Sequence, residues 1–317
     1  MLLTCKDLVK RYKEKTALDK FNLEVKEGEI LGLLGPNGSG KTTAINCMLS
    51  LLKFNSGEIT IFGEKMTENA LHIKKRIGFV PQEVSLFYAF SVYENIDYFS
   101  SLYVNDSSKR KALVEEAIEF AGLSNYKNYM AKKLSGGLLR RLNIACGIAH
   151  KPELIFMDEP TVAVDAQSRA FILQGIKELA KKGSTIIYTT HYLEEVEELC
   201  DRIVIIDNGH VIANGTLDEL QNLSSKSEKI VVEFIETKDD LTEKLKQIPH
   251  VLEVTKQQKD YAISFEKSTN NLNGLISFIN AQNLHYTKLY SEKPSLNDAF
   301  LELTGRSLRD KWCFYVY

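Results

Sequence analysis

Gly35-Pro36-Asn37-Gly38-Ser39-Gly40-Lys41-Thr42-Thr43 reads Gly-x-x-x-x-Gly-Lys-Thr, the phosphate-cradling P-loop pattern. Glycines let the backbone wrap tightly enough for several N–H groups to face one anion. Lys41 is expected to neutralise β/γ-phosphate charge, and the Thr42 hydroxyl to hold Mg²⁺. The flanks agree with this reading. Glu29-Ile30-Leu31-Gly32-Leu33-Leu34 predicts a buried strand before the loop. Thr43 to Leu52 predicts a helix whose positive N-terminus faces the phosphates. The bland alternative, a Gly-rich turn, explains the loop but not its placement between strand and helix.

Working outward, strands and helices alternate. Ile77 to Val80 predicts a strand, residues 91–150 a helix-rich stretch, and Leu154 to Met157 a buried strand. A helix follows over 167–182, a strand over Thr185 to Thr189, an acidic helix from Leu193 to Cys200, and a strand from Arg202 to Asp207. Such alternation implies a mostly parallel sheet covered by helices, an α/β fold. The composition shifts at Asn222-Leu223-Ser224-Ser225-Lys226-Ser227, which reads as a linker. Beyond it the order strand (Ile230 to Ile235), helix (239–247), strand (251–256), strand (Tyr261 to Phe265), helix (272–282), strand (His285 to Tyr290) is the split β-α-β-β-α-β, ferredoxin-like motif. The domain reading is therefore 1–222, linker 223–227, a small α+β domain over 228–306 and a tail over 307–317.

Composition bounds the function classes. At 317 residues one large domain or two are expected. The 40 Lys and Arg nearly balance the 42 Asp and Glu, so charge gives no argument for a nucleic-acid partner. No apolar run is long enough to span a membrane, and Lys6, Asp7, Lys10 and Arg11 interrupt any signal-peptide core. Five cysteines are scattered without metal-ligand spacing. They read as inert thiols in a reducing compartment.

Two further segments carry chemistry. Leu154-Ile155-Phe156-Met157-Asp158-Glu159 is an apolar strand ending in two carboxylates. Alone that is common and mostly structural. Beside a P-loop it reads as a Walker B strand, with Asp158 on Mg²⁺ and Glu159 polarising the attacking water. Lys133-Leu134-Ser135-Gly136-Gly137 precedes the helix Arg140-Arg141-Leu142-Asn143-Ile144-Ala145. An N-cap serine with a flexible turn is the bland account. The alternative is a second anion-binding helix N-terminus. A single-site enzyme does not need two of these. A head-to-tail dimer does, because each subunit's Ser-Gly-Gly then closes the other's γ-phosphate.

With these motifs together the chain resembles the nucleotide-binding subunit of ATP-binding cassette (ABC) transporters, closely over about residues 1–220 and loosely to about 310. The resemblance implies a P-loop cassette with a β-subdomain and a helical signature subdomain. It implies ATP binding by Gly35, Pro36, Asn37, Gly38, Ser39, Gly40, Lys41, Thr42 and Thr43, with Tyr12 stacking on adenine or packing in the core. Gln82, after Phe79-Val80-Pro81, matches the glutamine that touches Mg²⁺ and water. His191 matches the histidine that contacts γ-phosphate, and Asp165 a carboxylate at the dimer seam. Leu134, Ser135, Gly136 and Gly137 act on the partner's ATP. Glu159, His191, Lys41 and Gln82 form the catalytic set, with Thr42, Gln82 and Asp158 on the metal.

Three positions depart from the family pattern: Leu138, where Gln or Met is usual; Ala163, where Gly is usual; and Ala166, where Pro is usual. Glu292 to Gly305 resembles the ending of ATPase subunits of multidrug, antibiotic-resistance and lantibiotic-immunity exporters. The resemblance thus implies separate transmembrane permeases, a second cassette subunit, and a cytoplasmic place on the membrane face. Val84 to Tyr88 reads either as permease contact or as helical core. The aromatic end Trp312-Cys313-Phe314-Tyr315-Val316-Tyr317 reads as a partner contact, a variant terminus or a frayed end. The rival is a soluble cassette ATPase acting on ribosomes or nucleic acid. Such relatives usually carry two cassettes or a long coiled coil, and this chain has one cassette and no long heptad run. A single-site P-loop kinase does not account for the signature.

Overall fold

The computed structural model describes residues 1–223, 227–236, 240–257, 260–266, 270–292 and 295–305. The middle of the linker expected over 223–227, Lys293 and Pro294, and the aromatic end lie outside the described residues. The chain divides into two units, one covering Met1–Thr216 and the second beginning at Leu217.

The first unit opens with strands β1 (Leu3–Tyr12) and β2 (Lys15–Val25), then β3 (Ile30–Leu34), helix α1 (Lys41–Met48), β4 (Ser56–Ile61), β5 (Glu64–Lys65), α2 (Leu71–Lys74) and β6 (Ile77–Val80). Three helices follow: α3 (Val92–Ser101), α4 (Ser107–Phe120) and α5 (Gly136–Ile148). The unit closes with β7 (Leu154–Asp158), α6 (Ala166–Lys181), β8 (Thr185–Thr190), α7 (Leu193–Leu199), β9 (Arg202–Asp207) and β10 (His210–Gly215).

The central sheet has the order β10-β9-β3-β8-β7-β6 and is parallel except for the β10 edge. Every residue of β3, β7 and β8 is buried. This is why these strands read as unbroken apolar runs: both faces of the sheet are covered. A second sheet, β2-β1-β4-β5, is wholly antiparallel and forms the β-subdomain that the resemblance implies. Its apolar face (Leu3, Leu8, Leu18, Phe21, Leu23) shares a core with α1 and the central strands. Helices α3, α4 and α5 have their own core around Val92, Ile96, Val114, Ile118 and Leu142. Ser91 and Glu94 form a reciprocal capping box on α3, and Asp106 caps α4, so the sequence fixes where these helices begin.

The helix expected over Thr43 to Leu52 instead spans Lys41–Met48. It starts directly at Gly40, whose φ of 113° only glycine adopts readily. It stops before Ser50, which turns left-handed at φ 50°.

The second unit contains α8 (Leu217–Leu223), β11 (Ser227–Phe234), α9 (Leu241–Lys246), β12 (Val251–Gln257), β13 (Asp260–Glu266), α10 (Asn271–Ala281), β14 (Tyr286–Glu292) and α11 (Leu296–Thr304). The antiparallel sheet runs β12-β13-β11-β14. Alternate residues Tyr261, Ile263 and Phe265 of β13 and Ile230, Val232 and Phe234 of β11 point into one core with Leu241, Leu245, Leu275 and Ile279 of the helices. The order of these elements is that of the split motif expected from the sequence.

Candidate nucleotide-hydrolysis site

Registering β3, β8 and β7 side by side aligns their C-terminal ends. Leu34 pairs with Thr190 and Asp158 with Thr189. The loops that leave those ends therefore meet at one edge, where parallel α/β sheets carry their ligands. The P-loop follows β3, Glu159 follows β7 and His191 follows β8.

The P-loop is held from both sides. A Cβ on Gly35 lies 2.3 Å from the Ile206 carbonyl, and one on Gly40 lies 2.7 Å from the Ala17 carbonyl. Both positions therefore exclude any larger residue. Gly209 N–H donates to the Ser39 carbonyl at 2.8 Å. Asn37 and Gly38 are exposed, while Gly35, Pro36, Ser39 and Lys41 are buried. The buried Ser39 Oγ has no hydrogen-bond partner. Lys41 Nζ turns back into the loop, donating to Gly35 O at 2.8 Å and Pro36 O at 3.2 Å. Burial pushes its ammonium below the ordinary lysine value, against the pull of Glu159 and Asp158. A desolvated cation, an orphaned hydroxyl and the N-terminus of α1 together fit a polyphosphate.

Glu159 is the centre of the site. Its Oε1 is 3.4 Å from Lys41 Nζ. Its Oε2 is 3.3 Å from Gln82 Nε2, which donates to it, and 3.3 Å from His191 Nδ1. The structure thus brings all four residues of the expected catalytic set together. The backbone of Glu159 is left-handed, with φ 47°. Its N–H donates to Thr189 O at 3.1 Å and Thr189 Oγ1 at 3.0 Å, and these bonds hold a conformation that costs a non-glycine residue about 1–2 kcal/mol. Burial raises the Glu159 carboxyl pKa, but His191 and Lys41 outweigh it, and the group settles below the usual glutamate value. An ionised, acceptor-only carboxylate is what a water-polarising role requires.

Asp158, one residue back, is 1 % exposed. It accepts from Thr189 Oγ1 at 2.6 Å and from the Thr42 hydroxyl. Burial pushes its carboxyl above the ordinary value, opposed by those hydroxyls. Thr42, Asp158 and Gln82 offer only oxygen donors, and among the described residues no group of three or more His, Cys, Asp or Glu could hold a metal alone. That is the donor set of Mg²⁺, which binds through one or two carboxylates plus substrate phosphates.

The signature is built elsewhere on the unit. Ser135 caps α5, its Oγ accepting from Leu138 N at 3.4 Å. Leu134 is buried against the helical core. A Cβ on Gly136 meets nothing within 4 Å, whereas one on Gly137 lies 2.2 Å from Ser168 Oγ and 2.9 Å from Asp165 Oδ2. Asp165 caps α6 through Ser168 N and Oγ, both at 2.8 Å, and the Ser168 backbone bond chiefly holds its carboxyl below the ordinary value. Gly137 and Asp165 are thus neighbours within one chain, and Gly136 presents an open backbone. The hydrogen bonds and ion pairs described for these residues do not reach the P-loop.

Tyr12 ends β1 at the tip of the hairpin that carries Ala17. The residue is 46 % exposed, with Lys10 Nζ 4.7 Å from its ring centroid. That exposure is not the burial expected of a core residue. Leu138 packs against the helical core, which is what the apolar departure does there. Ala166 occupies the first position of α6, where proline is merely pre-organised. Four cysteines are unpaired and Cys5, Cys47 and Cys146 are buried, with burial raising the Cys47 thiol to about 11. Cys313 lies outside the described residues.

Sequence reasoning missed two supports. Thr189 both donates to Asp158 and accepts from Glu159 N. Glu195, 2 % exposed, accepts from Tyr188 Oη at 2.8 Å and Thr190 Oγ1 at 2.7 Å and lies 3.5 Å from Arg169 Nε. Thr190 Oγ1 in turn accepts from Tyr192 N, so Glu195 fixes the loop on either side of His191. The signal was the strand period: Tyr188 and Thr190 share a face opposite Thr189.

Comparison with known proteins agrees with this geometry. The model of the family "ABC transporter" matches residues 18–162, and that of "ATP-binding protein DrrA1-3-like, C-terminal domain" matches 215–304. The linearmycin resistance ATP-binding protein LnrL of Bacillus subtilis is 36% identical over 98% of this chain and 100% of its own length. The Nod factor export ATP-binding protein I of Burkholderia orbicola is 34% identical over 96% of this chain and 97% of its own. A dimeric ATP-binding cassette, solved in a post-hydrolysis state with ADP and Pi, superposes with a TM-score of 0.63 at 30% identity over 68% of this chain and 98% of that one. The chain belongs to the ATP-binding subunits of the ABC transporter family.

Proposed function

We propose that this chain is the ATP-hydrolysing half of an exporter, working as a pair of cassettes that close on two ATP molecules. The observation that carries this is the division of the site. Lys41, Gln82 and His191 converge on Glu159 at one place, and the open Gly136 backbone stands on the N-terminus of a different helix. One chain's P-loop and another chain's Ser135-Gly136-Gly137 complete a single ATP site. ATP binds the closed pair better than the open one, and that differential affinity drives closure. Tyr12 stacks on adenine. Thr42, Asp158 and Gln82 hold Mg²⁺ with the phosphates, and the ion supplies charge neutralisation there. Glu159 takes up the proton side of the attacking water, while Lys41 and His191 face the charge that develops on the γ-phosphate. Asp165 lies at the seam beside the signature.

The names of the relatives, resistance to one compound and export of another, support the outward direction. Among the described residues no helix is long and apolar enough to cross a membrane, so a separate permease carries the substrate. Phe87, Phe90 and Tyr98 form an exposed aromatic group, with Phe87 and Tyr98 edge to face at 4.8 Å, and Phe87 and Phe90 follow Gln82 closely in the chain. Apolar exposure of that kind marks a protein contact, and we assign it to the permease on the cytoplasmic membrane face. The test is the solution mass of Glu159→Gln with and without Mg-ATP. A monomer-to-dimer shift is expected. ATP bound to a species that stays monomeric sinks the homodimer reading and points to a different cassette as partner.

A further inference from the structure

Helix α5 carries a charged residue that the site above does not use. Arg140 is 5 % exposed. Its Nη1 donates to Pro81 O at 3.0 Å and its Nη2 to Gln82 O at 2.6 Å. Asn143, one turn on and 3 % exposed, accepts from Ser85 N at 3.1 Å. Two side chains on one face of α5 therefore grip the main chain on both sides of Gln82, whose own Nε2 donates to Glu159 Oε2. Burial lowers the guanidinium below its ordinary value, opposed by the fields of Asp158 and Glu159. A buried cation is expensive unless its bonds matter, and here both bonds described go to the backbone of the segment that aims Gln82.

Ser135 begins the same helix. At a rise of about 1.5 Å per residue, Arg140 lies roughly 7.5 Å along a rigid rod from the signature cap. We propose that Arg140 is a positioning residue that ties each subunit's signature helix to its own Gln82, so that engagement of the opposite ATP at Ser135-Gly136-Gly137 sets the distance from Gln82 to Glu159. This rests on the two-cassette reading. Arg140 does not touch the reacting atoms. It acts by holding the Pro81 and Gln82 carbonyls, and a displacement of about 1 Å at such a place is enough to cost on the order of 10²-fold in rate.

The experiment compares Arg140→Met, Arg140→Lys, Gln82→Ala and the Arg140→Met/Gln82→Ala double variant in steady-state ATP hydrolysis. Arg140→Met is expected to lower kcat by roughly 10–100-fold while leaving KM for ATP within about threefold. Arg140→Lys, able to reach one carbonyl, falls in between. The decisive reading is the cycle: added to Gln82→Ala, Arg140→Met should cost almost nothing more. Losses that multiply in the double variant, or a kcat unchanged by Arg140→Met, overturn the proposal. If Arg140→Met does not fold, Arg140→Lys in the same cycle decides the matter. ATP-dependent dimerisation of Glu159→Gln with and without Arg140→Met separates the two readings. Failure in the parent sinks the homodimer reading on which the proposal rests; dimers in both with unaltered turnover sink only the role of Arg140.

Discussion

Ala163 sits at φ 60°, in the left-handed region, and nothing about its small side chain offsets that. Its replacement of the usual glycine was visible in the sequence; its backbone angle was not. An L-residue there costs about 1–2 kcal/mol, while a glycine gives back roughly 0.4–1 kcal/mol through a freer unfolded chain. Ala163→Gly is therefore expected to stabilise the first unit by up to about 1.6 kcal/mol, read as a higher urea midpoint at unchanged slope. Glu159 is left-handed as well, but its side chain is the centre of the site, so its strain is retained for function. Its carboxyl is held below the ordinary value, which has a definite sign. It favours the folded state above the unfolded-state pKa of about 4.3, and that contribution is lost as pH falls through the lower folded value. Glu159→Gln is expected to lose less stability than the parent on acidification below about pH 4; an identical acid limb refutes the ion cluster. Lys41, Glu159, Gln82 and His191 were legible because each stands in a motif. Arg140 was not, because a helical arginine faces solvent by default and no local pattern shows that this one points inward.

At the level of elements, β3, β7 and β8 were legible because burial on both faces removes polar positions. The β-subdomain was implied by the resemblance, but the length of the β1 and β2 strands was not legible, since their ten and eleven residues carry register shifts that break strict alternation. The two signature glycines show why a motif does not assign its own residues. Gly136 opens onto free space and Gly137 is jammed against Ser168 and Asp165. Gly136→Ala is expected to leave the free energy of urea unfolding within about 0.5 kcal/mol of the parent and yet abolish the ATP-dependent dimer in the Glu159→Gln background, because in the proposed pair its methyl group would enter the partner's phosphate site. Gly137→Ala is expected to act within the subunit instead. It separates α5 from the cap of α6, and the cost is of the overpacking kind, about 1–3 kcal/mol. Equal effects of the two on stability contradict this assignment of faces.

On the scale of the whole chain, the buried apolar clusters divide between the two units. The first unit is built on the central sheet and the α3–α5 cluster, the second on β11 to β14 with α9 and α10. The split motif was legible from the order of its strands and helices. The start of the second unit was less so, because α8 carries polar residues around the single buried Leu220 and so reads as the end of what precedes it. Every residue assigned to ATP lies in the first unit. A ligand stabilises only what binds it, by RT ln(1 + [L]/Kd), about 2.7 kcal/mol at a hundredfold excess over Kd. For a unit of this size that corresponds to roughly 5–10 °C. Calorimetry of Glu159→Gln is therefore expected to show two transitions, of which Mg-ATP raises one. Phe265, fully buried in the second core, identifies the other, since Phe265→Ala removes about 3–5 kcal/mol there and leaves the ATP-sensitive transition in place. A single transition that moves with both perturbations contradicts this division, and makes the second unit part of the same cooperative fold as the nucleotide site.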